Sequence, residues 1–181
     1  LIPWLRQHND LVIAVNQGGS RPGAEAVYLE NWHIDYPEFL ELKKNTGDER
    51  RRCHDLHTAS WISDLFMKKV IQDTDWYLFS PDEVPGLHEA FGEAFENLYE
   101  KAIERAKVGD IKNFRVTKAK DLWKKMLTAI KETGHPWITF KDPSNIRYSD
   151  KHIGSVLSSN LCTEILRHSI PTTYQNMEVV N

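Results

Sequence analysis

Short apolar runs alternate with amphipathic stretches along this chain. Three runs are typical of buried strands: residues 24–29, 76–79 and 137–140. Five stretches have the three-to-four spacing of apolar residues that is typical of helices: 1–15, 37–44, 64–72, 87–106 and 117–132. Residues 141–151 are predicted to form a loop, and Gly134 to end the preceding helix. This alternation predicts an α/β fold with at least partly parallel strand pairing.

Composition limits the classes of protein that the chain can belong to. It has 181 residues, of which 40% are hydrophobic and 27% charged, as expected for one ordinary globular domain. The net charge of -3 gives no electrostatic reason to expect direct DNA binding. No apolar run approaches the roughly 20 residues that a membrane span needs, so no membrane association is expected. The chain does not begin with Met and starts inside a predicted helix, which indicates a fragment or a processed piece.

The two cysteines, Cys53 and Cys162, are too few for a disulfide framework. A reducing, cytoplasmic location is therefore expected. The chain has no CxxC pair and no HExxH motif, and its eight histidines are scattered. No metal site is predicted. Cys53 follows an arginine run and is expected to be a buried, inert thiol.

One segment near the carboxyl end carries the groups best suited to chemistry. Asn160, Cys162 and Glu164 alternate along the chain, ahead of a strand predicted around residues 163–166. In an extended segment, residues two apart point the same way, so an amide, a thiol and a carboxylate could face one substrate. The thiol can act as a nucleophile or a hydrogen-atom donor, and the carboxylate can move protons. The alternative is that Cys162 is a small buried hydrophobic residue, which is the usual role of a lone cysteine.

A second candidate is the loop at residues 16–23, which contains three glycines and a proline. It could bind a phosphate or a nucleobase, with Gln17 and Arg21 as polar and cationic groups. It follows a helix and precedes a strand, which is the reverse of the order in phosphate-binding loops, so its spacing favours a structural loop. The cationic run at residues 50–52 could likewise bind phosphate, although a solvated charged turn is more common.

Seven motifs occur in order along the chain: NQGGSRPGA (16–24), VYLENWH (27–33), FLELKKNTG (39–47), DLFMK (64–68), LFSPDEVP (78–85), ETGHP (132–136) and SNLCTEI (159–165). Together they resemble the catalytic large (alpha) subunit of the ribonucleotide reductase family, most like its class I enzymes. The resemblance covers essentially residues 1–181 as one partial barrel domain. It implies part of a ten-stranded α/β barrel, an incomplete one here, with a central finger loop.

The resemblance also implies roles for individual residues. Cys162 matches the cysteine that becomes a thiyl radical, Glu164 the carboxylate that deprotonates the 3′-hydroxyl, and Asn160 the amide that holds the ribose. Substrate contacts are expected from Ser158, Ser159 and Asn160. The Gly-rich loop matches the family's specificity loop, which responds to effector dNTPs. Its residues include Gln17, Gly18, Gly19 and Arg21, of which Gln17 and Arg21 are expected to contact the base.

Cofactors and partners follow from the same resemblance. No cofactor is expected to bind the chain directly, because a metal-containing small subunit would supply the radical. Other expected partners are the remaining large-subunit segments, thioredoxin or glutaredoxin, the ribonucleotide substrate, and dNTP or ATP effectors. The redox cysteine pair of the family is expected outside residues 1–181, so the piece alone is expected to be inactive. Two alternatives stay open: a non-catalytic nucleotide-binding or assembly fragment, and a fragment of an adenosylcobalamin-dependent reductase.

Overall fold

The computed structural model describes residues 1–18 and 20–169. Across these residues the helices are α1 (Ile2–Ala14), α2 (Tyr36–Phe39), α3 (Asp64–Gln72), α4 (Gly92–Lys107), α5 (Ala119–Thr133) and α6 (Lys141–Arg147). The strands are β1 (Ala26–Glu30), β2 (His57–Ile62), β3 (Asp75–Phe79), β4 (Phe114–Lys118) and β5 (Trp137–Phe140). Within the same residues, no helix is both long enough and apolar enough to cross a membrane.

Two sheets form from these strands. β1, β2 and β5 make a parallel sheet in the order β1-β2-β5, whereas β3 and β4 form an antiparallel pair. The predicted α/β class with partly parallel pairing is therefore confirmed. Neither sheet closes on itself within the described part of the chain, so a ten-stranded barrel is not seen there.

β2 is the central strand of the parallel sheet, although the sequence pattern did not predict it. Five of its six residues are buried, including the polar Thr58 and Ser60. The Ser60 hydroxyl lies 2.6 Å from the Tyr36 hydroxyl, which satisfies it inside the core. β4 was also not predicted, and it is formed by residues that pair with β3 from Asp75↔Lys118 to Phe79↔Phe114.

The core extends from helix α1 and strand β2 to the antiparallel strand pair and the helices α3, α4 and α5. Its centre is aromatic: the Trp76 ring stacks on Tyr99 with centroids 4.4 Å apart and meets Phe66 edge-on at 4.9 Å. The Tyr99 hydroxyl accepts from the Tyr77 amide (2.7 Å) and donates to the Tyr77 carbonyl (2.8 Å). These bonds allow a phenol to be fully buried, because both of its hydrogen-bonding functions are satisfied.

Helix ends follow local capping chemistry. α3 has the predicted bounds, since the Ser63 hydroxyl accepts from the Phe66 amide at its start and Asp73 ends it in the left-handed region. α5 ends at Gly134 with φ 73°, as predicted. α4 begins at Gly92 rather than residue 87, and α2 is a single turn rather than a helix to residue 44.

Two predictions near the carboxyl end were wrong. Residues 141–147 form helix α6 instead of a loop, because Pro143 lies in the first turn, where no backbone N–H is needed. Residues 163–166 form no strand. The backbone groups of Ile165 are bound by the side chains of Asn160 and Ser159, so they do not enter a sheet.

Candidate active site

The segment that carries Cys162 is a tight turn. The Thr163 amide donates to the Asn160 carbonyl (3.2 Å), and Thr163 itself adopts φ 63°. The Asn160 side-chain oxygen accepts from the Ile165 amide (3.1 Å), and the Ser159 hydroxyl donates to the Ile165 carbonyl (2.7 Å). The two side chains therefore close a loop whose tip is Cys162. The structure thus places Asn160, Cys162 and Glu164 in one turn rather than along a strand.

Exposure differs among the three predicted catalytic side chains. Cys162 and Glu164 are exposed, whereas Asn160 is half-buried, as are Ser158 and Ser159. Cys162 is therefore not the small buried hydrophobic residue of the alternative reading. Cys53 is that residue instead: it is fully buried, and burial raises the pKa of its thiol to about 11.

Asn145 fixes the chain just before the turn. Its side-chain oxygen accepts from the Val156 amide (2.7 Å), and its amide nitrogen donates to the carbonyls of Val156 and Lys141, both at 3.0 Å. Asn145 is 1% exposed and Val156 is fully buried. Two of these bonds thus join Val156, at the entry to the turn, to helix α6, and the third lies within the helix. Nothing in the sequence pattern had singled out Asn145.

Tyr28 contacts the turn from strand β1. Its hydroxyl donates to the Asn160 carbonyl at 2.7 Å, and its ring meets Trp61 edge-on with centroids 5.9 Å apart. Burial raises the pKa of Tyr28, an interaction with the Ser159 side chain opposes that shift, and the charges of nearby Glu164 and Cys162 add to it. The phenol therefore lies close to both groups. The sequence signals for Tyr28 were its position in a predicted strand and its place in the VYLENWH motif, and neither pointed to this contact.

A cavity of about 470 Å³ opens between the parallel sheet, α6 and the turn. Its lining residues are Trp61, Ile138, Thr139, Phe140, Pro143, Ser144, Arg147, Ser159, Thr163 and Leu166. Arg147 is the one cationic side chain among them. The cavity lies directly beside the predicted site, and its size is in the range of small-molecule sites.

The Gly-rich loop has its own internal bonds. The Gln17 amide donates to the Arg21 carbonyl (3.1 Å), and the Asn16 side chain accepts from the Gly23 amide. Gly23 is required there because a Cβ would lie 2.4 Å from the Val12 carbonyl oxygen. The side chains of Gln17 and Arg21 are exposed, as is Gly18. Gly19, also assigned to the specificity loop, lies outside the described residues.

The three arginines at residues 50–52 have two different roles. Arg52 is buried, and its guanidinium donates to the Thr46 carbonyl beside Gly47, so it stabilises a turn. Arg50 and Arg51 are exposed and line a second cavity of about 520 Å³ with Arg6 and Arg115. Within the described residues, no cluster of three or more His, Cys, Asp or Glu side chains is arranged to hold a metal ion.

The protein-family model for the ribonucleotide reductase barrel domain matches residues 1–176 of this chain. The chain belongs to the ribonucleotide reductase family. The family predicted from the seven motifs is thereby confirmed, and Cys162, Asn160 and Glu164 all lie inside the matched range.

Relatives of known name support the same family. The chain is 61% identical over 166 residues to the ribonucleoside-diphosphate reductase subunit alpha of Chlamydia pneumoniae, covering 92% of the chain and 16% of that protein. It is 50% identical to the Helicobacter pylori (strain J99) subunit alpha over 173 residues, 96% of the chain and 21% of the relative. It is 46% identical to the Caenorhabditis elegans large subunit over 172 residues, which are 94% of the chain and 21% of that subunit. The chain thus spans about a fifth of the length of these ribonucleotide reductase subunits.

Proposed function

We propose that this chain is part of the catalytic subunit of a ribonucleoside-diphosphate reductase, which makes deoxyribonucleotides as DNA precursors. The observation that carries the proposal is the exposed Cys162 at the tip of a turn closed by Asn160, with Glu164 two residues further on. The thiol, the carboxylate and the amide are the groups that radical reduction of a ribose requires. The neighbouring cavity has room for a ligand.

In the proposed reaction, Cys162 carries a thiyl radical. The radical takes the 3′ hydrogen atom of the ribose, so that an S–H bond forms and a C–H bond breaks. Glu164 accepts the proton of the 3′-hydroxyl, and the 2′-hydroxyl takes up a proton from a dithiol and leaves as water. The dithiol also supplies the hydrogen that C2′ gains, gives up two electrons in total and is oxidised to a disulfide, while Glu164 returns its proton to the 3′-oxygen. Cys162 then returns its hydrogen atom to C3′, which regenerates the radical and completes the deoxyribonucleotide.

Asn160 can serve both the turn and the substrate. Its side-chain oxygen is engaged by the Ile165 amide, whereas its Nδ2 makes no hydrogen bond among the described residues. The amide nitrogen therefore has donors available for an oxygen of the ribose. Ser158 and Ser159 are proposed as further substrate contacts, on the half-buried approach to the turn.

The proposal includes the assembly around this chain. The parallel sheet would form part of a ten-stranded barrel, and the turn would be its central finger loop. The Gly-rich loop, with Gln17, Gly18, Gly19 and Arg21, would respond to dNTP or ATP effectors. A metal-containing small subunit would supply the radical, and thioredoxin or glutaredoxin would reduce the dithiol, in the cytoplasm.

A chimeric enzyme tests the proposal. The homologous segment of the Chlamydia pneumoniae subunit alpha is replaced by this chain, and the chimera is assayed for conversion of CDP to dCDP with its small subunit. Because the two segments are 61% identical, the chimera is expected to fold and to turn over. A folded chimera that binds CDP without reducing it would contradict the proposal and favour a nucleotide-binding or assembly role.

The radical source is tested in the same chimera. We expect no turnover when the small subunit is omitted. Turnover that is restored by adenosylcobalamin alone would instead favour the adenosylcobalamin-dependent alternative.

A further inference from the structure

The turn that carries Cys162 is attached to the parallel sheet by one side chain. Among the described residues, Tyr28 is the one side chain from outside residues 141–169 that hydrogen-bonds to residues 158–165. The other bonds of the turn are internal, between Ser159, Asn160, Thr163 and Ile165. Asn145 holds the entry at Val156, before the turn begins. The position of the tip relative to the sheet therefore depends on Tyr28.

The atom that Tyr28 binds is also part of the turn. The Asn160 carbonyl accepts from the Tyr28 hydroxyl at 2.7 Å and from the Thr163 amide at 3.2 Å. A carbonyl oxygen has two lone pairs, so both donors can be accommodated. The phenol thus orients the peptide unit from which the turn starts.

The Tyr28 ring is itself well fixed. It projects from a strand paired with β2 in the register Tyr28↔Ala59, and it packs edge-on against the buried Trp61. A well-packed side chain that bonds to an exposed turn is the arrangement by which a supporting residue holds a reactive group in place.

We propose that Tyr28 is a positioning residue, whose hydroxyl fixes the turn bearing Cys162 and Glu164 against strand β1. The expected effect of the Tyr28 hydroxyl on turnover rests on the proposed function, whereas its effect on the structure of the turn does not. In the reductase, loss of the hydroxyl would misplace the thiol and the carboxylate without removing a substrate contact. The turnover number would then fall while the KM changed little.

Hydrogen exchange on the 181-residue chain tests the effect on the turn. Tyr28→Phe removes the hydroxyl and keeps the ring. Peptides covering residues 158–168 are expected to exchange roughly 2- to 10-fold faster, the range set by one net hydrogen bond. Tyr77→Phe is the matched control, because its hydroxyl makes no hydrogen bond among the described residues. Unchanged exchange in Tyr28→Phe, or an equal rise in Tyr77→Phe, would overturn the proposal.

Turnover in the Chlamydia chimera tests whether the Tyr28 hydroxyl affects catalysis. Tyr28→Phe is expected to lower kcat for CDP by roughly 2- to 10-fold, with KM and the melting temperature nearly unchanged. Tyr77→Phe is expected to leave both constants unaltered. If the unsubstituted chimera does not reduce CDP, the proposed function fails while the exchange result still decides the role of Tyr28. If it does reduce CDP and Tyr28→Phe keeps full kcat, the positioning role in turnover is wrong.

Discussion

Lys141 and Glu30 form a buried ion pair that joins the end of β1 to the start of α6. The Lys141 ammonium lies 3.0 Å from each Glu30 carboxylate oxygen, and the two side chains are 0% and 4% exposed. Burial lowers the pKa of Lys141, while the neighbouring Glu30 charge opposes that shift. The carboxylate also accepts from the Trp32 indole at 2.5 Å and lies 2.6 Å from His88 Nδ1. The pair thus fixes the helix from which Asn145 holds the Cys162 turn.

Removing one partner of this ion pair is expected to destabilise the protein. Lys141→Met should lower the free energy of unfolding by about 3–5 kcal/mol, because it leaves Glu30 buried without its cation. Urea unfolding measures the change. Lys124→Met on the exposed side of α5 is the control and should change stability by less than about 0.5 kcal/mol.

A double substitution distinguishes the loss of the ion-pair attraction from the cost of leaving one charge buried without its partner. Glu30→Gln combined with Lys141→Met removes both charges, so most of the stability lost in Lys141→Met should return. A double variant that is as unstable as the sum of the two single variants would show that the charges act independently.

Asp142 links the starts of two helices. Its Oδ2 accepts from the Asp64 amide at the start of α3, and its Oδ1 accepts from the Gly92 amide at the start of α4, both at 2.5 Å. Asp142→Ala should destabilise the protein by roughly 1–3 kcal/mol, since two helix termini lose a buried acceptor. Asp121→Ala, in the exposed first turn of α5, is the control for a lost surface carboxylate. Equal melting temperatures for the two variants would contradict the linking role.

The two thiols should differ sharply in reactivity. Cys162 is exposed, whereas Cys53 is buried with its pKa raised to about 11. Iodoacetamide at neutral pH should therefore modify Cys162 rapidly. It should modify Cys53 more than about tenfold more slowly until the protein unfolds. Mass spectrometry of tryptic peptides identifies the sites. Cys162→Ser should abolish the rapid reaction, and a variant that keeps it would refute the assignment.

Stability should decrease in mild acid. The rings of His57 and His135 lie 3.3 Å apart between Nδ1 and Nε2. Burial lowers both pKa values below the ordinary 6.5, and Lys43 lowers them further. The unfolded chain therefore takes up protons first as the pH falls through 6.5, and stability is lost between that value and the lower folded pKa values.

Urea unfolding at about pH 7.5 and about pH 5.5 measures this loss. Replacing both histidines by Gln should reduce the difference between the two conditions. His33 remains as a further contributor, because burial also lowers its pKa. A difference that is identical in the double variant would contradict the role of the pair.

The sequence predicted those elements whose signals are local. Helix α3 was predicted with its observed bounds because its apolar spacing is regular, and Gly134 marked the end of α5. β2 was missed because its buried Thr58 and Ser60 break the expected apolar pattern, and a partner distant in sequence, Tyr36, satisfies Ser60. α6 was missed because Pro143 resembles a loop signal unless its place in the first turn is known.

The candidate site was predicted in part for the same reason. Asn160, Cys162 and Glu164 are near neighbours in sequence, so their spacing and family motif point to one site. The supporting contacts are not local: Tyr28 lies 132 positions from Asn160. The turn itself was missed because its bonds come from the side chains of Ser159 and Asn160 rather than from a strand partner. Arg147, which lines the cavity, belongs to a helix that the sequence did not predict.

Formation of dCDP by the Chlamydia chimera with single cysteine substitutions tests whether Cys162 carries the radical chemistry. Cys162→Ser should reduce the rate to background, because an alcohol does not give up a hydrogen atom as readily as a thiol does, while CDP binding is retained. Cys53→Ser, at the buried thiol, should leave a folded variant active. A Cys162→Ser chimera that forms dCDP at the unsubstituted rate would show that Cys162 does not carry the radical.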